Sequence, residues 1–181
     1  MASLQIPVTE ADHAKGRPNA PVTLVEYGDY ECPHCGAAYP VVQQLQKRFG
    51  ADLRFVYRNF PLGEIHPHAV SAAMTAEFGA VHGRFWKVHD ALFENQQRLG
   101  APLYQAIVTE LQLDAAQLRA ALEANTYLER VRADFNGGVR SGVNGTPSFF
   151  VNGKRYDGAP GFETMADALG EVIRAAKAHG R

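Results

Sequence analysis

The sequence predicts an α/β protein, on three observations. A β-rich run, Val22-Thr23-Leu24-Val25-Glu26-Tyr27, is followed by a helical stripe and then by a second β-rich run, Leu53-Arg54-Phe55-Val56-Tyr57. From about residue 66 to residue 140 the apolar residues recur at helical spacing. A third run, Phe149-Phe150-Val151, leads into Asn152-Gly153, a strong hairpin signal, with a return strand over residues 154–156.

The first run is a strand, ended by Gly28 and Asp29. A helix is predicted over 33–49. Pro33 suits the first helical position, where its missing N–H is an orphan anyway, so Cys32 takes the N-cap. Ala38, Val42, Leu45 and Phe49 form its apolar stripe and Gly50 its stop. Pro40 lies inside this helix, deletes the bond to the Gly36 carbonyl and should kink it. Strand, helix and strand make a βαβ unit with a right-handed crossover. In the helical stretch, Ala69, Ala73, Ala76 and Ala80 mark one stripe, and Phe85, Val88, His89, Leu92 and Phe93 another. Helices over 103–111 and 115–122 and a longer one from 127 to about 139 follow, with Asp114 and Asn125 as N-caps. Phe85 and Trp86 pack this lobe. The last helix, about 162–178, buries Phe162, Met165, Leu169 and Ile173.

A chain of 181 residues with 46% hydrophobic and 20% charged residues is an ordinary globular composition, large enough for one core with an inserted lobe. Eighteen Lys and Arg against nineteen Asp and Glu give a net charge of −1, which offers no argument for nucleic acid or an anionic membrane as partner. No run approaches the roughly 18 apolar residues of a membrane span. Residues 1–15 show no basic leader followed by an apolar stretch, so the sequence as written reads as cytoplasmic. The alternative, a periplasmic or other extracytoplasmic setting, applies where a leader has been removed.

The chemistry concentrates in Cys32-Pro33-His34-Cys35. These are the chain's only two cysteines, and chance would set two cysteines three apart in roughly one sequence in a hundred. At a helix start, the Cys32 sulfur is placed to accept backbone N–H bonds and to feel the positive end of the helix dipole. Thiols in such positions have pKa values of about 3.5–7.5, against roughly 8.5 when free. His34, where protonated, adds a positive charge. Cys32 is then the attacking thiol and Cys35, one turn in and more buried, the resolving one. A structural bridge over so short a loop contributes little. Half a zinc site lacks its other ligands, so no metal is expected.

Glu26 shares a strand face with Val22 and Leu24, which points it inward. There burial would raise its pKa and let it exchange protons with Cys35; the alternative is a strand-end carboxylate that reaches solvent. His66 and His68 bracket Pro67 at a helix start and read as exposed capping residues rather than metal ligands. His82 and His89, seven apart, read as packing residues on one helix face. Pro147 stands at a strand entrance, where proline is tolerated.

Glu26, Cys32-Pro33-His34-Cys35, Pro40 and Gly145-Thr146-Pro147 together resemble the DsbA-like branch of the thioredoxin superfamily, over about residues 19–178. The resemblance implies a thioredoxin fold with an inserted all-helical lobe. Residues 1–18 would be an N-terminal extension and 19–62 the first half of the fold. The inserted lobe and its connecting helix would occupy 63–140, and the second half 141–181. The resemblance also implies a cis Pro147 against the Cys32–Cys35 disulfide, backbone pairing of Thr146 with an extended substrate, and Glu26 as the buried proton shuttle. Thr146 departs from the valine of that branch and is similar to disulfide isomerases, and Glu31 sets a negative charge beside Cys32.

The expected function is a protein dithiol–disulfide oxidoreductase that forms, reduces or shuffles disulfides and needs no cofactor beyond its own cysteine pair. Its partners would be protein or peptide thiols and disulfides, and a regenerating partner: a membrane oxidase, a reductase or glutathione. The alternative is a redox-gated protein-binding module or cytosolic redox sensor without turnover. A glutathione-dependent transferase of the same superfamily would leave the second cysteine unexplained.

Overall fold

The computed structural model describes residues 2–179. The chain divides into two compact units. The first takes in the chain up to Tyr27, Ala37–Arg58 and the chain from Gly137 onward; the second takes in Gly28–Gly36 and Asn59–Asn136.

Among the described residues, a five-stranded sheet carries the first unit. Its strands are β1 (His13–Lys15), β2 (Val22–Gly28), β3 (Leu53–Asn59), β4 (Ser148–Val151) and β5 (Lys154–Tyr156), in the spatial order β1-β3-β2-β4-β5. Helix α1 (Pro33–Phe49) connects the neighbours β2 and β3, so the βαβ unit is present. β2 pairs antiparallel with β4, Glu26 opposite Phe149 and Tyr27 opposite Ser148. From Leu24 to Gly28 every residue of β2 is buried, so this is a central strand covered on both faces rather than an alternating one. That covering, more than alternation, buries Glu26. Asn152 and Gly153 turn the β4–β5 hairpin with φ of 46° and 81°, the positive values a two-residue turn requires. The Asn152 side chain also accepts from the Thr23 N–H at 2.7 Å.

Strand β1 was not expected, and residues read as an N-terminal extension join the sheet: β1 pairs antiparallel with β3, and Ser3 bridges Lys154. The cause is tertiary. Buried Arg58 uses all five guanidinium N–H groups: two on Asp12, one each on the Ile6 and Pro7 carbonyls, and one on the Tyr27 hydroxyl, at 2.7–3.0 Å. Burial opposes its charge, but Asp12 and Tyr27 outweigh that and hold the guanidinium well above its ordinary pKa. The unit closes with α7 (Phe162–His179), whose Met165, Leu169 and Ile173 are buried.

The second unit is built from α2 (Ala69–Val81), α3 (Phe85–Glu94), α4 (Ala101–Glu110), α5 (Ala115–Glu123) and most of α6 (Leu128–Arg140). α2 and α3 approach closely because Gly79 has no side chain: a Cβ there would lie 2.6 Å from Val88 Cγ2. Asp114 caps α5, its carboxylate accepting the Ala116 and Gln117 N–H groups. Asn125 does not cap α6. It sits at φ 52° in the turn beyond α5, its N–H bonded to the Leu122 carbonyl, and the helix begins three residues later. His82 and His89 do not share a helix. His82 ends α2, its Nδ1 2.8 Å from the Phe78 carbonyl, and His89 lies buried in α3. Phe85 is buried and Trp86 partly so, stacked edge-on against it.

A polar cluster is buried in this unit. Asn59 donates its backbone N–H to Asp134 Oδ2 at 3.0 Å and its amide to Glu77 Oε1 at 2.8 Å. Arg130 pairs with Asp134 and lies 3.9 Å from Glu77 Oε2. Burial raises the Asp134 pKa; Arg130 and the Asn59 N–H oppose this without cancelling it.

Candidate active site

Pro33 opens α1, and the Cys32 carbonyl accepts the Gly36 N–H at 3.0 Å, so Cys32 stands at the N-cap. Cys32 and Cys35 are both buried, at 4% and 0% exposure, whereas Pro33 and His34 are exposed. The motif thus presents its two middle residues and shelters its sulfurs.

Asp29 organises the turn that leads into the motif. Its carbonyl accepts the Cys32 N–H at 3.2 Å, and its own N–H donates to Cys35 Sγ at 3.4 Å. Its side chain is fully buried. Oδ1 accepts the Glu31 N–H at 2.8 Å, and Oδ2 accepts the Leu62 N–H at 2.9 Å and meets His66 Nδ1 at 2.7 Å. Glu31 turns its carboxylate to the His68 N–H at 2.6 Å, at the start of α2, where a negative charge meets the positive end of the helix. Gln96 Nε2 donates to the carbonyls of Tyr30 at 2.9 Å and Cys32 at 2.8 Å, fixing the same turn from outside. The Tyr30 hydroxyl bonds His89 Nδ1 at 3.0 Å within a buried aromatic set that includes Phe93.

The electrostatics follow this arrangement. Burial alone would lower the His66 pKa, but the hydrogen bond to Asp29 and the charges of Asp29, Cys32 and Glu31 outweigh it, and the net shift is upward. Burial pushes the Tyr104 hydroxyl up to about 12, against the lowering effect of its bond with Ser71. Among the described residues, no three His, Cys, Asp or Glu side chains group to hold a metal.

The predicted site residues fall in both units. Cys32, Pro33, His34 and Cys35 belong to the second. Glu26, at 3% exposure on β2, and Thr146 and Pro147, half-buried ahead of β4, belong to the first. The Thr146–Pro147 peptide is cis. The sequence pattern marks Asp29 only as a strand end and His66 as an exposed cap, and it gives Gln96 no role; the structure places all three around the turn into the motif. One signal for Gln96 was available: Gly36, in the first turn of a helix, marks a close approach.

A thioredoxin family model matches residues 8–171. The chain belongs to the thioredoxin family. It is 40% identical over 167 residues to a Na(+)/H(+) antiporter NhaA 1 of Salinispora arenicola, covering 92% of this chain and 26% of that protein. With NhaA 1 of a Mycobacterium species it shares 40% over 151 residues, 82% of this chain and 25% of that one. The chain therefore spans about a quarter of the length of the curated relatives it matches. In structure it is similar to oxidised BdbD of Bacillus subtilis, with a TM-score of 0.85 and 23% identity over 96% of this chain and 98% of that one. A thioredoxin-like oxidoreductase of Silicibacter pomeroyi superposes with a TM-score of 0.79 and 28% identity, covering 92% of this chain and 94% of that one. For α-DsbA1 of Wolbachia pipientis the TM-score is 0.82 and the identity 18%, over 98% of both chains. These structures bear out the thioredoxin fold with its helical lobe.

Proposed function

We propose that the chain is a protein dithiol–disulfide oxidoreductase working through Cys32 and Cys35. The observation that carries this reading is the pair itself: two sheltered sulfurs at the N-terminal turn of α1, behind an exposed Pro33-His34 edge. In the reducing direction the Cys32 thiolate attacks one sulfur of a substrate disulfide. A mixed disulfide forms and the first substrate thiolate leaves. The Cys35 thiolate then attacks Cys32 Sγ, the Cys32–Cys35 disulfide closes, and the second substrate thiolate leaves, so two electrons have passed to the substrate. Run backwards, the same steps oxidise a substrate dithiol. His34 lies between the two cysteines in sequence and is exposed. The DsbA-like resemblance supplies three further roles: Glu26 as proton partner, the Thr146 backbone as the edge an extended substrate joins, and Pro147 as its neighbour.

Antiporter activity does not carry over from the relatives. The match covers about a quarter of each, and no helix among the described residues is long and apolar enough to cross a membrane. The partners that fit are protein thiols and disulfides, together with a regenerating partner. An oxidising compartment suits this chemistry, and the comparisons lend the cytoplasmic reading no support.

The test is turnover in insulin reduction and in refolding of a scrambled disulfide protein. Activity that disappears in Cys32→Ser and stalls as a trapped mixed disulfide in Cys35→Ser supports the assignment. Catalysis surviving in Cys32→Ser sinks it.

A further inference from the structure

We propose that His66, held by the buried carboxylate of Asp29, is a positioning residue whose positive charge stabilises the Cys32 thiolate. The inference deepens the proposed thiol–disulfide role and rests on it for its purpose. Asp29 is fixed by four contacts from the active-site turn and its surroundings: the Glu31 and Leu62 N–H groups on its carboxylate, the Cys32 N–H on its carbonyl, and Cys35 Sγ on its own N–H. One residue thus touches the backbone of the attacking cysteine, the sulfur of the resolving cysteine and the ring of His66, the last at 2.7 Å. A carboxylate on Nδ1 fixes the imidazole orientation and favours its cationic form. The His66 side chain is 17% exposed, so solvent screens it only in part.

The charged and titratable groups that act on His66 are Asp29, Glu31 and Cys32, and all three favour its protonated form. Glu31 accepts the His68 N–H on its carboxylate, so the short segment from His66 to His68 is tied at both of its histidines to the turn that precedes the motif. Coupling between two sites is reciprocal: if the Cys32 thiolate favours protonated His66, protonated His66 favours the thiolate to the same extent. A more stable thiolate stabilises the dithiol form and makes the disulfide the stronger oxidant. His66 therefore acts on the redox equilibrium through Cys32 without touching substrate.

The experiment reads both sides of this coupling in the full chain. The His66 ring titration is followed by NMR in the dithiol form and in the disulfide form made with oxidised dithiothreitol, assigned against a His66→Gln variant. The His66 midpoint is expected to fall on oxidation, because the thiolate is gone. In His66→Gln, thiolate absorbance is expected to titrate at higher pH, with about tenfold less thiolate at a pH below the midpoint. His66→Lys, which restores a cation, is expected to recover part of that loss, and Glu31→Gln, which removes an anion, to shift the thiolate the other way. A His66 midpoint that is the same in both redox states overturns the proposal, as does an unmoved thiolate titration in a His66→Gln variant that retains its near-UV spectrum. A chain without disulfide turnover but with a redox-dependent His66 midpoint would defeat the proposed function and support this coupling.

Discussion

Gln96 fills the space that Gly36 leaves open: a Cβ at position 36 would lie 2.3 Å from Gln96 Oε1. The carboxamide can sit there and donate to the Tyr30 and Cys32 carbonyls only because the first turn of α1 carries no side chain at this point. Two substitution effects then oppose each other. Gly36→Ala gains up to about 1 kcal/mol of helix propensity. It also displaces the Gln96 amide, and two lost hydrogen bonds cost about 1–3 kcal/mol. Gly36→Ala is expected to destabilise the natural chain and to stabilise a Gln96→Ala chain. Urea unfolding of the four proteins in this cycle measures the difference, and a cost unchanged by Gln96→Ala would show that the two residues are not coupled.

Much of this site was legible in the sequence where the signal is local. Pro33 and Gly50 bracket α1 at the predicted residues, Asn152-Gly153 turns the predicted hairpin, and the cysteine spacing singles out the motif. What was not legible depends on long-range partners. β1 is three residues long without an apolar pattern, and Arg58 joins Asp12 across 46 residues to hold the segment that carries it. His66 lies 37 residues from Asp29 and Gln96 lies 64 from Cys32, and no periodicity encodes such pairs. Asn125 carries a residue type that suits caps and left-handed turns alike, and here the turn beyond α5 claims it.

Arg58 is expected to tolerate no substitute. All five of its donors are used in one buried fork, which a lysine ammonium cannot reproduce. Arg58→Lys is expected to lose about 2 kcal/mol. Arg58→Met, which strands the buried Asp12 carboxylate, should lose about 3–5 kcal/mol. The midpoints of urea unfolding rank them, and equal stability of Arg58→Lys and the natural chain would show that charge alone suffices.

His66 also gives stability a pH dependence. Its folded pKa is raised, so its contribution is fully present below the ordinary value of 6.5 and is lost as pH rises through the folded value. Relative to His66→Gln in the same redox state, the natural chain should be most stable below pH 6.5 and lose that advantage as pH rises through the folded value. The slope should be shallower in the disulfide form, where Cys32 no longer adds its charge. A difference between the two chains that stays constant from pH 5.5 to 8.5 would contradict this.

Asp134 runs opposite to a typical paired carboxylate. Burial is the dominant influence on it, ahead of Arg130 and the Asn59 N–H, and the net pKa lies above the ordinary 3.8. The folded chain therefore holds this proton more tightly than the unfolded chain. Stability is lost as pH rises from the unfolded value through the folded one, and the deficit persists at neutral pH. Asp134→Asn imitates the protonated side chain: it keeps an oxygen to accept the Asn59 N–H and removes the like charge beside Glu77. The variant should compare better with the natural chain at pH 7 than at pH 4, whatever its absolute stability. Chemical denaturation at the two pH values measures the comparison. A variant that compares worse at pH 7 would mean that Arg130 stabilises the ionised carboxylate by more than burial opposes it.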